Sequence, residues 1–259
     1  MPLSMQQLVA SPACLPQWPL EQILTAYRPL GFKKFEAFCT WCKSALDIQQ
    51  PPADYLRLAE AQGFRFTSMH LPAITHDFDA SLAAAIATAR YAASLGASVV
   101  IYKADSRENY IRAAGPFLDA LQSEGVAVTP VLQNHKGSPI TTLDDFRAVI
   151  EGVNDPRMKT LLEVGHFQRA GVAWRDGYDL LGDSIALVHI NDINAASESV
   201  PFGAGLVDFP GLFQHLSDAG YAGDMVVELE LPTRNDDPDR TLGYLGEALQ
   251  YLRSLGLKD

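Results

Sequence analysis

The sequence predicts a single (β/α)8 TIM barrel spanning residues 1–259, and three observations carry that expectation. Short apolar runs alternate eight times with longer segments of helical spacing. Their cadence is about 32 residues per unit, which suits a fold that runs to about 250 residues. No G-x-G-x-x-G follows an early strand, as a doubly wound open sheet would want for its phosphate loop.

The eight runs lie near 7–10, 34–38, 65–70, 98–101, 126–132, 160–163, 186–190 and 225–230. They read as parallel strands, because strands covered on both faces need not alternate polar with apolar residues. The clearest helices between them are 82–95, with Leu82, Ile86, Ala89, Tyr91 and Leu95 at helical spacing, then 110–121 and 209–216. Gly31, Gly63, Gly96, Gly125 and Gly220 each stand just before a strand, where the preceding helix needs a left-handed cap. Asp208 stands two residues before Pro210, an N-cap ahead of a proline in the first helical turn. No linker, low-complexity tract or charge block points to a second domain.

With 47% hydrophobic and 20% charged residues, a chain of this length folds without needing a disulfide or structural metal. Its net charge of −11 opposes binding to phosphate backbones, which relies on clustered Lys and Arg. The three cysteines, Cys14, Cys39 and Cys42, are too few and too uneven for a secreted disulfide framework. The N-terminus has neither a basic n-region nor an apolar h-region, and no apolar segment is long enough to span a bilayer. The expectation is a cytoplasmic enzyme or binding protein with neither nucleic acid nor membrane as partner.

In such a barrel, chemistry gathers at the carboxyl ends of the strands. The first half offers Glu36, His70 and Lys103 there. The second half is richer: Gln133 and His135 after the fifth strand, Glu163 and His166 after the sixth, His189 and Asp192 at the seventh, Glu228 and Glu230 at the eighth. Carboxylates, imidazoles and an amide together suit a borderline divalent cation such as Mn²⁺, Zn²⁺ or Co²⁺. Glu228 lies in an apolar strand, where an unpaired carboxylate is costly unless it has a task. Cys39-Thr40-Trp41-Cys42 forms a lone C-x-x-C, weak evidence for redox or zinc chemistry, but it sets Trp41 near the barrel mouth, where its ring could stack on a sugar. Gly203 and Gly205 read as a tight loop rather than a dinucleotide fingerprint.

The strings Val131-Leu132-Gln133-Asn134-His135-Lys136-Gly137, Leu162-Glu163-Val164-Gly165-His166, Val188-His189-Ile190-Asn191-Asp192 and Pro201-Phe202-Gly203-Ala204-Gly205 resemble those of the xylose isomerase-like TIM-barrel superfamily, in its sugar phosphate isomerase/epimerase branch. Gly220-Tyr221-Ala222-Gly223 leading into Val227-Glu228 adds to the likeness, which extends over essentially the whole chain. The resemblance implies one divalent metal, manganese first with zinc, cobalt or magnesium behind it, held by Glu, Asp, His and Glu from the last four strands. By position these become Gln133, Glu163, His189 and Glu228, so the first two depart from the pattern. It also implies that His70 and, more loosely, Glu36 and His166 face the substrate. Asp192 either orients His189 or an arginine or caps the following loop. Glu230, two residues from Glu228, points the same way and supports the site if the strand continues, or else stands beyond the strand's end. Family barrels are often dimers or tetramers, which leaves a homo-oligomer open.

Family epimerases use the glutamates of the fifth and eighth strands as two bases on opposite substrate faces. An amide takes no proton at neutral pH, so Gln133 disfavours that symmetric chemistry. The expected function is a metal-dependent isomerase, or epimerase, acting on a sugar, keto-sugar or related polyhydroxy compound through an enediolate. Glu228 is the main base, with Lys103 or His135 as a second acid. The alternatives are a metal-dependent lyase or dehydratase on a keto-polyol or 3-keto-glycoside, and a non-catalytic sugar-binding barrel.

Overall fold

Eight short strands close on one another. The computed structural model describes residues 3–259, in which β1 (Leu8–Ala10), β2 (Lys34–Phe38), β3 (Arg65–His70), β4 (Val99–Tyr102), β5 (Thr129–Gln133), β6 (Lys159–Glu163), β7 (Ile185–Ile190) and β8 (Asp224–Val227) pair in chain order, all parallel, with β8 returning to β1. Helices α1 (Leu20–Tyr27), α2 (Pro52–Ala61), α3 (Phe78–Ser94), α4 (Arg107–Ser123) and α5 (Leu143–Val153) follow the first five strands. Two helices, α6 (Val164–Arg169) and α7 (Trp174–Leu181), follow β6, and α8 (Phe209–Asp218) and α9 (Pro238–Ser254) follow β7 and β8. Asp192–Ile193 and Ser199–Val200 form a small antiparallel ribbon in the loop after β7.

The punctuation works as expected. Gly31, Gly63, Gly96, Gly125 and Gly220 all have positive φ, the conformation that only glycine adopts without steric cost. The Asp208 carboxylate accepts from Gly211 N at 3.0 Å, capping α8 with Pro210 in its first turn.

Two strand boundaries differ from expectation. β5 begins at Thr129, because Val126 N bonds back to Leu121 O and so completes the end of α4. β8 ends at Val227, not at 230: Glu228 N still reaches Ile190 O at 3.0 Å, but Leu229 N bonds the Cys14 sulfur at 3.2 Å instead of a strand. Glu230 has therefore left the sheet, and the period-two relation to Glu228 does not apply to it.

The barrel interior is layered by that same period of two. Val9, Ile101, Val131, Leu161, Leu187 and Val226 form a dry plug, all of them essentially inaccessible. Removing each of these side chains from water favours folding by roughly 1.5–3 kcal/mol. Two residues onward along each strand stand Ser11, Lys103, Gln133, Glu163, His189 and Glu228. The plug thus fixes the height at which the polar side chains emerge. Along β2 and β3 the corresponding pairs are Glu36 then Phe38, and Ser68 then His70; Glu36 and Ser68 are register partners.

Candidate metal and active site

His189 is the hub of the polar layer. It is fully buried on β7, and both ring nitrogens face carboxylates. Nε2 lies 3.2 Å from Glu36 Oε2, while Nδ1 lies 3.0 Å from Glu163 Oε2 and 3.4 Å from Glu228 Oε1. The two sides differ in kind. On the Nε2 side the groups are hydrogen-bonded: Glu36 Oε2 accepts from His189 and from Ser68 Oγ at 2.7 Å, and Glu36 Oε1 pairs with His70 Nε2 at 3.0 Å. On the Nδ1 side, His189 Nδ1 and Glu163 Oε2 are close but out of line, and neither has an aligned hydrogen-bond partner.

Orphaned buried polar atoms are rare, and each asks for a reason. One ligand atom from each of Glu163, His189 and Glu228 lies within 4.8 Å of the others, all buried. Two carboxylate oxygens and one imidazole nitrogen pointing at a shared space fit a divalent cation in size and donor chemistry. Gln133 lines the adjoining pocket, and no protein hydrogen bond restrains its amide among the described residues. Glu36, His70 and His189 also lie within 4.8 Å of one another, but the hydrogen bonds among them, with Ser68, already fill that space.

The charges follow from this crowding. Burial opposes charge on His189, but Glu36 and then Glu228 outweigh it and hold the imidazolium well above its ordinary pKa. Burial raises Glu36 and Glu228, yet the adjacent His189 prevails and keeps both carboxyls below the usual range. Glu163 gains less from His189 and is pushed up to about 7 by burial and the Glu228 charge. Glu228 Oε1 accepts from Ser11 Oγ at 3.4 Å and lies 3.4 Å from His189 Nδ1 without an aligned hydrogen bond, whereas Oε2 has no protein hydrogen bond among the described residues.

A pocket of about 340 Å³ opens above this layer, lined by Phe38, Trp41, His70, Lys103, Gln133, His135, His166, Glu228 and Glu230, among others. Phe38 stacks on His70 with ring centroids 3.9 Å apart, and Trp41 continues the aromatic wall at 5.6 Å from Phe38. Trp41 is 58% exposed and sits at φ 78°, a left-handed backbone that costs a non-glycine residue of order 1–3 kcal/mol. On the far wall His135 and His166 stack at 3.7 Å. His166 Nδ1 accepts from Lys136 N at 3.2 Å, and burial followed by the neighbouring His135 drives its pKa down to about 2.

Two expected roles change, those of Glu36 and His135, and two open ones, those of Asp192 and Glu230, resolve. Glu36 does not face substrate: it belongs to the layer of the plug, is wholly inaccessible, and has both oxygens occupied. His135 is no acid when neutral, because its Nδ1 lies 2.9 Å from Lys136 O, a carbonyl that only accepts; the ring proton is assigned to Nδ1, and Nε2 is left as an acceptor. Asp192 supports a loop rather than His189. Its carboxylate takes backbone N–H groups of Gly203, Gly205, Ile193 and Val207 at 2.8 to 3.2 Å. Gly205 is required there, since a Cβ would lie 2.2 Å from Asp192 Oδ1. Glu230 lines the pocket and pairs with Arg169 at 3.5 Å.

Phe38, Ser11 and Ser68 escaped the sequence reading. Their signal was available in the period of two, since each lies in step with a plug or site residue on its strand. Cys39 donates to His70 O and Cys42 contacts Ser44 Oγ, both at 3.3 Å, and neither joins a metal-ligating group among the described residues.

A family model described as a xylose isomerase-like TIM barrel matches residues 24–255. An inosose dehydratase of Mesomycoplasma hyopneumoniae (strain 7448) is 28% identical over 145 residues, 48% of this chain and 47% of that protein. The chain thus spans about half the length of the curated relatives it matches. Among solved structures, a xylose isomerase domain protein from Alicyclobacillus acidocaldarius superposes with TM-score 0.75 at 19% identity, covering 95% of this chain and 96% of that one. A protein named IOLI, solved with a zinc atom, gives TM-score 0.75 at 14% identity over 96% and 97% of the two chains. The probable 3-DHS dehydratase AsbF from Bacillus anthracis gives 0.73 at 14% over 98% and 99%. At these identities the solved structures speak to the fold alone. No helix among the described residues is long and apolar enough to cross a membrane.

Proposed function

The chain belongs to the xylose isomerase-like TIM-barrel family, and within it we propose a metal-dependent enzyme that removes the proton beside the carbonyl of a polyhydroxy compound, with Glu228 as its one base. The observation that carries this is the asymmetry of the pocket. Glu228 has one oxygen taken up by His189 and Ser11 and the other unengaged, while β5 presents the amide of Gln133 rather than a second carboxylate.

Glu163, His189 Nδ1 and Glu228 would hold the cation, with the Gln133 amide oxygen as the fourth candidate. When bound, a divalent cation there would draw electron density from a substrate carbonyl oxygen and acidify the adjacent C–H. Glu36 holds His189 through Nε2, which fixes the tautomer that presents Nδ1 to the metal. Without metal, the charge on His189 holds the Glu228 carboxyl below the usual range. A bound cation would take over that stabilisation once His189 is neutral, leaving Glu228 an ionised carboxylate able to accept the proton. His135 Nε2 stands in the opposite wall as an acceptor for a substrate hydroxyl. The aromatic wall of Phe38 and Trp41 gives the carbon skeleton a face to lie on.

One base supports isomerisation or β-elimination but not two-sided epimerisation. The half-length likeness to inosose dehydratases favours elimination of water; aldose–ketose isomerisation is the second reading, favoured by the acceptor nitrogen of His135. The test is to incubate the Mn²⁺-supplemented protein in D₂O with a panel of ketoses, keto-inositols and keto acids. A Glu228-dependent product lighter by one water supports dehydration, and an isomer of unchanged composition supports isomerisation. No deuterium exchange and no product from any member would refute the enzymatic reading.

A further inference from the structure

We propose that Lys103 marks a carboxylate-binding subsite, so that the compound this pocket takes is a polyhydroxy carbonyl compound that also carries a carboxylate. This rests on the reading of the pocket as a substrate site and narrows what that substrate is.

Lys103 follows β4 directly and lines the pocket. Its ammonium makes no hydrogen bond or ion pair among the described residues, and it stands over the Phe38 ring, 5.7 Å from Nζ to centroid. The flanking strands offer it no anion. β3 ends in His70, held neutral by burial, and β5 ends in the amide of Gln133. The carboxylates that act on it are committed elsewhere: Glu36, one layer below, to Ser68, His70 and His189, and Glu228 to His189 and Ser11. Arg169 and Arg234 both face the pocket-lining Glu230, at 3.5 and 3.9 Å. Among the described residues lining the pocket, Lys103 is therefore the one cation, and it has no counter-charge in contact. A half-buried charge of this kind gains from a ligand that pairs with it.

A single ammonium suits a monoanion. Among the described residues lining the pocket, no arginine fork and no glycine-rich run of backbone N–H groups stands beside it to take a phosphate dianion. The geometry also separates two ends of the ligand. Glu163, His189 and Glu228 occupy β6, β7 and the end of β8, whereas Lys103 extends from β4 on the other side of the pocket. The carbonyl end would lie toward the former and the carboxylate toward the latter, with the polyol carbons against Phe38 and Trp41.

The experiment measures binding by calorimetry on the Mn²⁺-supplemented protein, using D-glucuronate, D-galacturonate, D-glucose and D-glucose 6-phosphate as probes. The expected result is at least tenfold tighter binding of one uronate over glucose and over the phosphate ester. Lys103→Gln should bring uronate and glucose within about twofold, while Lys103→Arg, which keeps the charge, should retain most of the preference. Equal binding of uronate and glucose by the wild type overturns the proposal. So does a preference that survives Lys103→Gln, since the metal would then be reading the carboxylate. Tighter binding of the phosphate ester, or no binding of either uronate, also overturns it. Turnover is scored separately by adding both uronates to the D₂O panel: a uronate preference without exchange in any member leaves the subsite standing and removes the catalytic reading.

Discussion

Replacing Glu36 by glutamine perturbs the site from beneath while leaving every pocket-lining side chain in place. The wild-type carboxylate accepts from Ser68 at 2.7 Å, from His70 at 3.0 Å and from His189 at 3.2 Å, with no access to water. Glutamine keeps one acceptor oxygen, which can still serve Ser68 and His189. Its NH₂ must then face His70, whose Nε2 has to accept and whose proton moves to Nδ1, an atom with no partner. Charge-assisted bonds worth about 1.5–3 kcal/mol each become neutral ones worth about 1 kcal/mol, and the negative charge that steadies His189 disappears. The metal-free protein should lose about 2–4 kcal/mol of stability, less than the full penalty of stranding a buried partner, because the amide preserves shape and part of the bonding. Metal affinity should fall about 10–100-fold, the usual effect of losing a carboxylate behind a ligating histidine. Urea unfolding and Mn²⁺ titration calorimetry measure the two quantities, and Glu36→Asp, which keeps the charge, should recover part of the affinity. Unchanged metal affinity in Glu36→Gln would refute the idea that Glu36 positions His189.

Further outcomes follow from other parts of the structure. Gln133→Glu adds a carboxylate beside the metal ligands, so metal binding should tighten by about tenfold or more and exchange at a second substrate face should appear; calorimetry and stereochemical analysis in D₂O check both. His166 has its folded pKa lowered to about 2 by burial, so below pH 6.5 the unfolded chain binds a proton that the folded protein does not. Its contribution to stability is present above pH 6.5 and is lost as pH falls toward 2, at about 1.4 kcal/mol per pH unit once well below 6.5. His166→Gln should remove that slope, measured as the difference between variant and wild-type urea unfolding at pH 6.5 and pH 5. Gly205→Ala would place a methyl group 2.2 Å from Asp192 Oδ1 and 2.8 Å from Ile193 O, and should cost about 2–4 kcal/mol by opening the loop after β7, read as a lowered Tm.

The barrel was legible because its strands are short apolar runs and its helices end on glycines that must adopt positive φ. The carboxyl-terminal polar residues were legible for the same reason: the strand ends announce them. Glu163, His189 and Glu228 come from three separate strands, yet all three stand two residues beyond a plug residue, Leu161, Leu187 and Val226. Glu36 was misplaced because it stands in step with the plug, where an apolar residue is the norm, and Phe38 instead ends β2. Nothing local to residue 36 reveals that its partners are 32, 34 and 153 positions away. Asp192 was ambiguous for a similar reason. Its four donors belong to backbone amides, which carry no side-chain signature beyond the glycines that let the loop approach.

Crystals grown with Mn²⁺ test the central claim most directly. An anomalous difference map should show one peak bonded by Glu163, by His189 through Nδ1 and by Glu228, at about 2.0–2.3 Å from each donor atom. Glu36 should remain on Nε2 of the same ring. A barrel with no peak there, or a peak seated between Glu36 and His70, would contradict the account.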